Sequence, residues 1–268
     1  MRCITCNKQT FPLCQNCRKN PYFVEKARRF LAEKGDLKNL TALYFMKYAV
    51  LKDENTDKFW DLNFSDFVSL DEEESVTKEK IKIVASFIPK NGGKILDIGI
   101  GAGFIEEYLL TTQKKVDFHG IDISPKSINF VKKRYKGDFK IGSFYKLSYK
   151  PSSFDIVLAL DVLEHIPPPK IFGVLRKIRL IIKPRGYFIA SVPLNERLWG
   201  MEINDSSHMR EYSPELLRKE LMISGFNPLS SKTIYAFADL RRLKTFAAEN
   251  LLTNRWDYNE LIIKTQKI

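Results

Sequence analysis

The stretch Ile95-Leu96-Asp97-Ile98-Gly99-Ile100-Gly101-Ala102-Gly103-Phe104 decides the fold of this chain. An apolar run that predicts a buried strand leads directly into three closely spaced glycines and then into a helical pattern. Glycine adopts positive φ and lets a ligand approach the backbone, and the free N–H groups at the start of the helix suit an anionic group. This order of strand, turn and helix predicts a ligand-binding loop of an α/β domain.

An acidic residue downstream indicates what the loop binds. Asp122 follows Gly103 by nineteen residues, at the end of the second predicted strand, where a carboxylate accepts hydrogen bonds from both hydroxyls of a ribose. Phe104 stands where a dinucleotide-binding loop needs Gly or Ala for close packing of helix and strand. Asp97 would repel a pyrophosphate and attract a ligand that carries an ammonium and a sulfonium. These residues favour S-adenosylmethionine (SAM) over NAD.

The pattern around this loop predicts the architecture. With 268 residues, 44% of them hydrophobic, the chain is long enough for one α/β domain and a small appendage. From Lys94 onward, strand and helix patterns alternate, which predicts a Rossmann-like, seven-stranded, mostly parallel sheet with helices on both faces. We divide the chain into a cysteine module at 1–20, a helical and acidic cover at 21–90 and the α/β domain at 91–268. The predicted strands are Lys94–Ile98, Val116–Ile123, Phe139–Ile141, Phe154–Leu160, Tyr187–Val192, Thr233–Phe237 and Leu261–Lys264.

From Lys94 to Phe226 the sequence resembles the class I SAM-dependent methyltransferases. Phe154-Asp155-Ile156-Val157 and Asp161-Val162-Leu163-Glu164-His165-Ile166 match the family's fourth-strand motif, whose end faces the methyl group, and the segment from Leu180 to Tyr187 resembles its Leu-Lys-Pro-Gly-Gly turn. The resemblance implies a loop that holds the methionyl part of SAM, an acid on the ribose and side chains around the adenine. It assigns to SAM binding Asp97, Gly99, Gly101, Gly103, Asp122, Ile123, Ser143, Phe144 and Asp161.

The catalytic requirements of methyl transfer are modest. SAM carries its own activated methyl group, so the enzyme mainly aligns the acceptor and excludes water, and a base is needed only for a neutral acceptor. His165 and His208 are the candidate catalytic residues, with a plain helix-start role as the alternative for His165. The aromatic residues of the acidic cover either form a lid over the acceptor or belong to the core; they are Phe59, Trp60, Phe64 and Phe67.

All four cysteines of the chain lie near its start. The spacing Cys3-x2-Cys6-x7-Cys14-x2-Cys17 predicts a zinc site, because two C-x2-C knuckles supply four thiolates in a tetrahedron. So short a segment has too little core to fold alone, and the metal would stabilise it. Iron–sulfur ligation and disulfides are the alternatives. A structural role, partner docking and RNA contact all stay open for this module.

The charge is +12 overall, with +8 over residues 1–52 and −8 over residues 53–77. The sequence offers neither an apolar run long enough for a membrane span nor a signal-peptide core, so we predict a cytoplasmic protein. The leading hypothesis is methyl transfer to a small molecule or lipid. The alternative is an RNA methyltransferase that docks through a basic head containing Arg18, Lys19, Arg28 and Arg29. A protein that binds SAM without turnover is a third possibility.

Overall fold

The structure is a computed structural model that describes residues 2–9, 13–36, 38–40, 53–64, 76–112, 114–194, 207–235, 241–251 and 258–268. Residues 41–51 of the predicted cover and the lid candidate Phe67 lie outside these ranges. Within them, no helix is long and apolar enough to cross a bilayer.

The described residues form one mixed sheet of seven strands, as the sequence predicted. The strands are β1 (Gly93–Ile98), β2 (Val116–Asp122), β3 (Asp138–Ile141), β4 (Phe154–Leu160), β5 (Ile182–Pro193), β6 (Phe226–Ile234) and β7 (Glu260–Lys267). Their order across the sheet is β3-β2-β1-β4-β5-β7-β6. β1 to β5 pair in parallel, and β7 runs antiparallel to both of its neighbours. The carboxyl ends of β1, β2 and β4 therefore lie at one edge of the sheet, where ligands bind in open α/β sheets.

Helices cover both faces of the sheet. They are α1 (Gln15–Arg18), α2 (Pro21–Lys34), α3 (Asp57–Asn63), α4 (Val76–Phe87), α5 (Phe104–Leu110), α6 (Pro125–Arg134), α7 (Ile171–Ile181), α8 (Pro214–Ile223) and α9 (Arg241–Asn250). α4, α5 and α6 share one apolar core with Ile95 and Ile156, while α2, α7 and α8 share another with Leu96 and Val157. The period-two alternation of a strand thus sends neighbouring residues to opposite cores.

Local sequence signals fix where the site-bearing helices begin. The hydroxyl of Ser124 accepts a hydrogen bond from the Ser127 backbone N–H, and Pro125 follows at the first helical position of α6. The hydroxyl of Ser213 accepts the equivalent bond from Leu216 ahead of α8. Both Ser-Pro pairs are local signals for a helix start, because a capping hydroxyl and a proline act within a single turn.

Two predicted boundaries differ from the structure. β6 spans Phe226–Ile234 rather than 233–237; as an edge strand it is exposed at many positions and lacks the apolar run of a buried strand. β5 extends back to Ile182, through the Pro184-Arg185-Gly186 segment that was predicted to be a turn. Arg185 has φ of 62° there, so the irregular backbone is accommodated inside the strand.

The amino-terminal segment packs against the α/β domain. Cys14, Cys17, Ala27 and Leu31 belong to the same apolar core as α7 and α8. Arg28, which belongs to the basic head of the alternative RNA hypothesis, is completely buried. Burial raises the pKa of Glu220 on α8, and the charges of Arg210 and Arg28 oppose that increase. Because Arg28 lies where α2 meets α8, it is unavailable to a phosphate backbone.

Candidate functional site

A cavity of about 250 Å³ opens at the carboxyl ends of β1, β2 and β4. It brings together residues that the sequence analysis assigned separately to cofactor and catalysis. Its lining residues are Asn55, Trp60, Ile98, Gly99, Gly101, Ile121, Asp122, Ile123, Gly142, Ser143, Phe144, Tyr145, Asp161, Val162 and His165. Asp97, Gly103 and His208 are the predicted site residues that do not line it.

Two of the three glycines of the loop are closely packed against neighbouring side chains. Gly99 and Gly103 both have φ of 75°, a conformation that disfavours any residue with a side chain. A Cβ on Gly99 would lie 2.7 Å from the Val162 side chain, and one on Gly103 would lie 2.6 Å from the Tyr135 ring. Gly101 has open space instead. Gly99 and Gly103 are therefore required for packing, and Gly101 is the glycine that leaves room at the cavity.

Asp122 connects two loops at the cavity, the glycine loop and the turn that precedes α6. One carboxylate oxygen accepts a hydrogen bond from the Gly101 backbone N–H at 2.9 Å, and the other accepts one from the Ser124 N–H at 2.8 Å. Burial raises the pKa of Asp122, and these N–H groups oppose the increase. Asp122 therefore fixes the glycine loop in addition to lining the cavity.

Two carboxyl groups are buried beneath the glycine loop. Asp97 is 3% exposed, and burial, followed by the charge of Asp122, raises the pKa of Asp97 to about 8. Glu106 on α5 is completely buried, and burial together with the charge of Asp97 raises its pKa well above the usual range. Sequence reasoning missed Glu106, because its place in the first turn of α5 gives no sign that it is buried.

Three of the residues that the resemblance assigns to SAM binding lie in the cavity wall near β2 and β3. Ile123, Ser143 and Phe144 all contribute to its wall. The hydroxyl of Ser143 accepts a hydrogen bond from the Tyr145 N–H at 3.2 Å, and the ring of Phe144 packs edge-on against Tyr145 at 4.5 Å. The cavity wall therefore offers the Ser143 hydroxyl and the Phe144 ring to the adenine that the resemblance predicts here.

The opposite side of the cavity is built around His165. Its Nδ1–H donates to the Ser207 carbonyl at 3.0 Å, and its Nε2 lies 4.0 Å from a carboxylate oxygen of Glu164. Its ring contacts those of Trp60 and His208, at centroid distances of 4.9 Å and 4.8 Å. The Asn55 side chain donates to the same Ser207 carbonyl at 2.9 Å. The two predicted histidines are therefore neighbours, and Asn55 is a wall residue that the sequence did not reveal.

Glu164 completes a possible metal-binding set beside these histidines. Glu164, His165 and His208 each offer a ligand atom, and the three atoms lie within 4.8 Å of one another. The Glu164 side chain is completely buried, and among the described residues neither of its oxygens has a hydrogen-bond donor. A buried carboxyl that accepts no hydrogen bond is costly even with the His165 Nε2 4.0 Å away, and a divalent cation bound by a carboxylate and imidazoles would satisfy it.

The lid hypothesis holds for one of the described aromatic residues. Trp60 lines the cavity, and Phe59 packs edge-on against Trp60. Phe64 instead contacts Phe130 of α6, away from the cavity. Asp61 joins α3 to the start of α6, because its carboxylate accepts hydrogen bonds from the Ser124 hydroxyl and the Lys126 N–H. α3 therefore lies against α6 and contributes Trp60 to the cavity wall.

The four cysteines converge at the amino-terminal end. Their four sulfur atoms lie within 4.8 Å of one another, and all four cysteines are free thiols. Burial would raise the pKa of Cys3, but hydrogen bonds from the Thr5 hydroxyl and from backbone N–H groups lower it to about 5. N–H groups directed at a sulfur stabilise the thiolate, which is the form that binds a metal.

Comparison with known proteins identifies the class. Residues 96–190 match a family described as methyltransferase domain. The chain is 25% identical over 168 residues to a ubiquinone biosynthesis O-methyltransferase of Ralstonia nicotianae, a match that covers 60% of this chain and 67% of that protein. A SAM-dependent methyltransferase structure from Archaeoglobus fulgidus aligns with a TM-score of 0.58 at 19% identity, over 72% of this chain and 93% of that one. The cyclase SpnF aligns with a TM-score of 0.56 at 17% identity, over 74% of this chain and 84% of that one.

The structural likenesses show the fold, and the matched domain and the relatives add the activity. The protein is a SAM-dependent methyltransferase built on the class I, Rossmann-like fold. Since a cyclase shares this fold, the acceptor and the roles of individual residues have to be argued from the site itself.

Proposed function

We propose that the protein transfers the methyl group of SAM to a hydroxyl oxygen of a small, largely apolar acceptor. The observation that carries the proposal is the shared cavity, in which Asp122 and the glycine loop face the Trp60 and His165 side. The Ralstonia relative, an O-methyltransferase by name, supports oxygen as the accepting atom.

The strand order fixes the direction of the cofactor in this proposal. β1 lies between β2, which carries Asp122 at its end, and β4, which is followed by Asp161. With the ribose on Asp122 and the adenine beside Ser143 and Phe144, the sulfonium of SAM lies towards β4. The methyl group then points to the Trp60 and His165 wall, where an apolar acceptor is held in line and water is excluded.

The acceptor side contains the means to handle the hydroxyl proton. In our proposal Glu164, His165 and His208 would hold a divalent cation. That cation would lower the pKa of the acceptor hydroxyl, so that its proton could be released to bulk solvent. The Ser207 carbonyl orients the His165 ring so that Nε2 faces this set. Trp60 packs against that ring and limits how the acceptor enters.

The amino-terminal cysteines form a structural zinc site in our proposal. The close approach of the four sulfurs supports it, and so does the packing of Cys14 and Cys17 into the core shared with α7 and α8. RNA docking by the basic head finds less support, because Arg28 is buried between α2 and α8. The zinc module accordingly stabilises the body of the enzyme.

Transfer of tritiated methyl from SAM tests the proposal with a matched pair of variants. With an alkyl-substituted catechol as acceptor, Trp60→Ala should lower kcat/KM by about tenfold or more, because it removes a wall of the cavity. Phe64→Ala, at the end of the same helix but packed on Phe130, should stay within about threefold of the wild type.

A chelator should reduce the same activity, and a cation that binds a carboxylate and imidazoles, such as Zn²⁺, should restore it. Because a chelator also removes zinc from the cysteines, His208→Ala is the matched variant: it should lose activity while the protein keeps the cysteine-bound zinc. Equal effects of the two aromatic variants would contradict the proposed acceptor side. Activity that survives both chelation and His208→Ala would contradict the proposed cation.

A further inference from the structure

Lys80 of α4 extends over the carboxyl edge of the sheet. Its side chain is 12% exposed, and its ammonium forms an ion pair with Asp161 and lies 3.6 Å from a carboxylate oxygen of Glu260. Asp161 follows β4 and lines the cavity, while Glu260 begins β7 and pairs with the last residue of β5. Three elements distant in sequence thus bring one cation and two acids together beneath the cavity.

Asp161 is held in an unusual conformation. Its φ of 53° is rare for a residue with a side chain. The Ser191 hydroxyl donates to one Asp161 carboxylate oxygen at 2.6 Å, and the Asp161 N–H donates back to the Ser191 carbonyl and hydroxyl, both at 3.1 Å. Backbone strain of this kind persists where the surroundings enforce it, and it concentrates at functional sites.

The charges in the cluster favour an ionised Asp161. Burial alone would raise its pKa, but the Lys80 ammonium, together with hydrogen bonds from Glu260 and Ser191, lowers it to about 2. Burial and the charge of Asp161 raise the pKa of Glu260 to about 8. Asp161 is therefore the carboxyl of the cluster that keeps its charge, and its side chain is 38% exposed.

We infer that Lys80 is a positioning residue that holds the Asp161 carboxylate charged and directed at the cationic end of SAM. The inference rests on the proposed binding of SAM in this cavity, with the sulfonium towards β4. Without Lys80, no neighbouring ammonium offsets the burial that raises the pKa of Asp161, so the carboxyl either takes up a proton or turns away. The cavity then lacks a negative charge on the side where the cofactor is positive.

Calorimetric titration of SAM and S-adenosylhomocysteine, which lacks the sulfonium charge, tests this inference. Lys80→Met should weaken SAM binding by about tenfold and S-adenosylhomocysteine binding by about threefold or less, and Lys80→Arg should restore both to within about threefold of wild type. Lys82→Met is the matched control, because Lys82 lies on the same helix with an exposed side chain, and it should bind both ligands as the wild type does.

Two further variants identify the residue through which Lys80 acts. In an Asp161→Asn background, Lys80→Met should cause no further loss of SAM affinity, whereas independent effects would add. Glu260→Gln should keep wild-type affinity, since the pair of Lys80 and Asp161 stays intact. If Lys80→Met does not fold, as judged by circular dichroism, Lys80→Gln takes its place in every comparison.

The inference is overturned if Lys80→Met binds SAM as well as the wild type, if the two ligands lose affinity equally, or if Lys80→Arg does not restore binding. Additive losses in the Asp161→Asn background would also overturn it. A wild-type protein that binds no SAM would instead refute the proposed function, so the two failures are distinguishable.

Discussion

Replacing Asp122 by alanine tests the cofactor side at the residue that connects its two loops. The carboxylate accepts hydrogen bonds from the N–H groups of Gly101 and Ser124, and we propose that it also accepts them from the ribose. Losing charge-assisted bonds of this kind costs about 1.5–3 kcal/mol. Asp122→Ala should therefore weaken S-adenosylhomocysteine binding by roughly 10- to 150-fold, and the freed glycine loop adds to the loss.

Isothermal titration calorimetry with S-adenosylhomocysteine measures the effect directly. Asp122→Asn keeps one acceptor oxygen and should fall between alanine and wild type. Asp117→Ala is the control, because Asp117 lies on the same strand with a side chain that is 64% exposed, and it should change the affinity by no more than about twofold. A folded Asp122→Ala protein that binds within about threefold of wild type would refute the proposed ribose contact.

Three other perturbations test separate parts of the structure. Elemental analysis of freshly purified protein should find about one zinc per chain, and metal-free protein with freely alkylated Cys3 and Cys17 would contradict the zinc site. Burial, followed by the charge of Asp122, raises the pKa of Asp97 to about 8, and an ammonium group of SAM placed beside Asp97 would favour the ionised carboxylate. SAM binding should therefore release a proton below that pH, and the affinity should increase as the pH rises from about 6 to 8. Calorimetric heats that do not depend on the ionisation enthalpy of the buffer would argue against this contact. Arg28→Met should lower the free energy of unfolding in urea by about 1–3 kcal/mol, because Arg28 is buried at the contact with α8. Arg29 is exposed, so Arg29→Met should lower that free energy by less than about 0.5 kcal/mol. Equal losses of stability would contradict the buried role of Arg28.

The parts of the site that the sequence predicted are those encoded locally. The glycine loop and the Ser-Pro helix starts depend on residues within one turn of each other, so their pattern appears in any short window. Asp122 was found because a fixed number of residues separates the ends of two adjacent parallel strands in this kind of fold. The paired C-x2-C spacing made the cysteine cluster visible in the same way.

The parts that escaped prediction depend on packing between distant segments. Lys80 and Asp161 are 81 residues apart, and nothing near either one shows that α4 brings them together. Arg28 was read as surface charge, since a basic helix gives no local sign that one of its residues is covered by α8. β6 was misplaced because an edge strand is exposed along much of its length and loses the apolar pattern on which the prediction depends.

The most direct test of the account is to follow the methyl group. Tritiated SAM is incubated with the purified protein and an extract containing both small molecules and RNA, and the label is then traced after separation into an organic-soluble fraction and an RNA fraction. We predict label in the organic-soluble fraction, unaffected by ribonuclease, lost in Asp122→Ala and reduced in Trp60→Ala. Label that appears in RNA and disappears with ribonuclease would contradict the proposed acceptor.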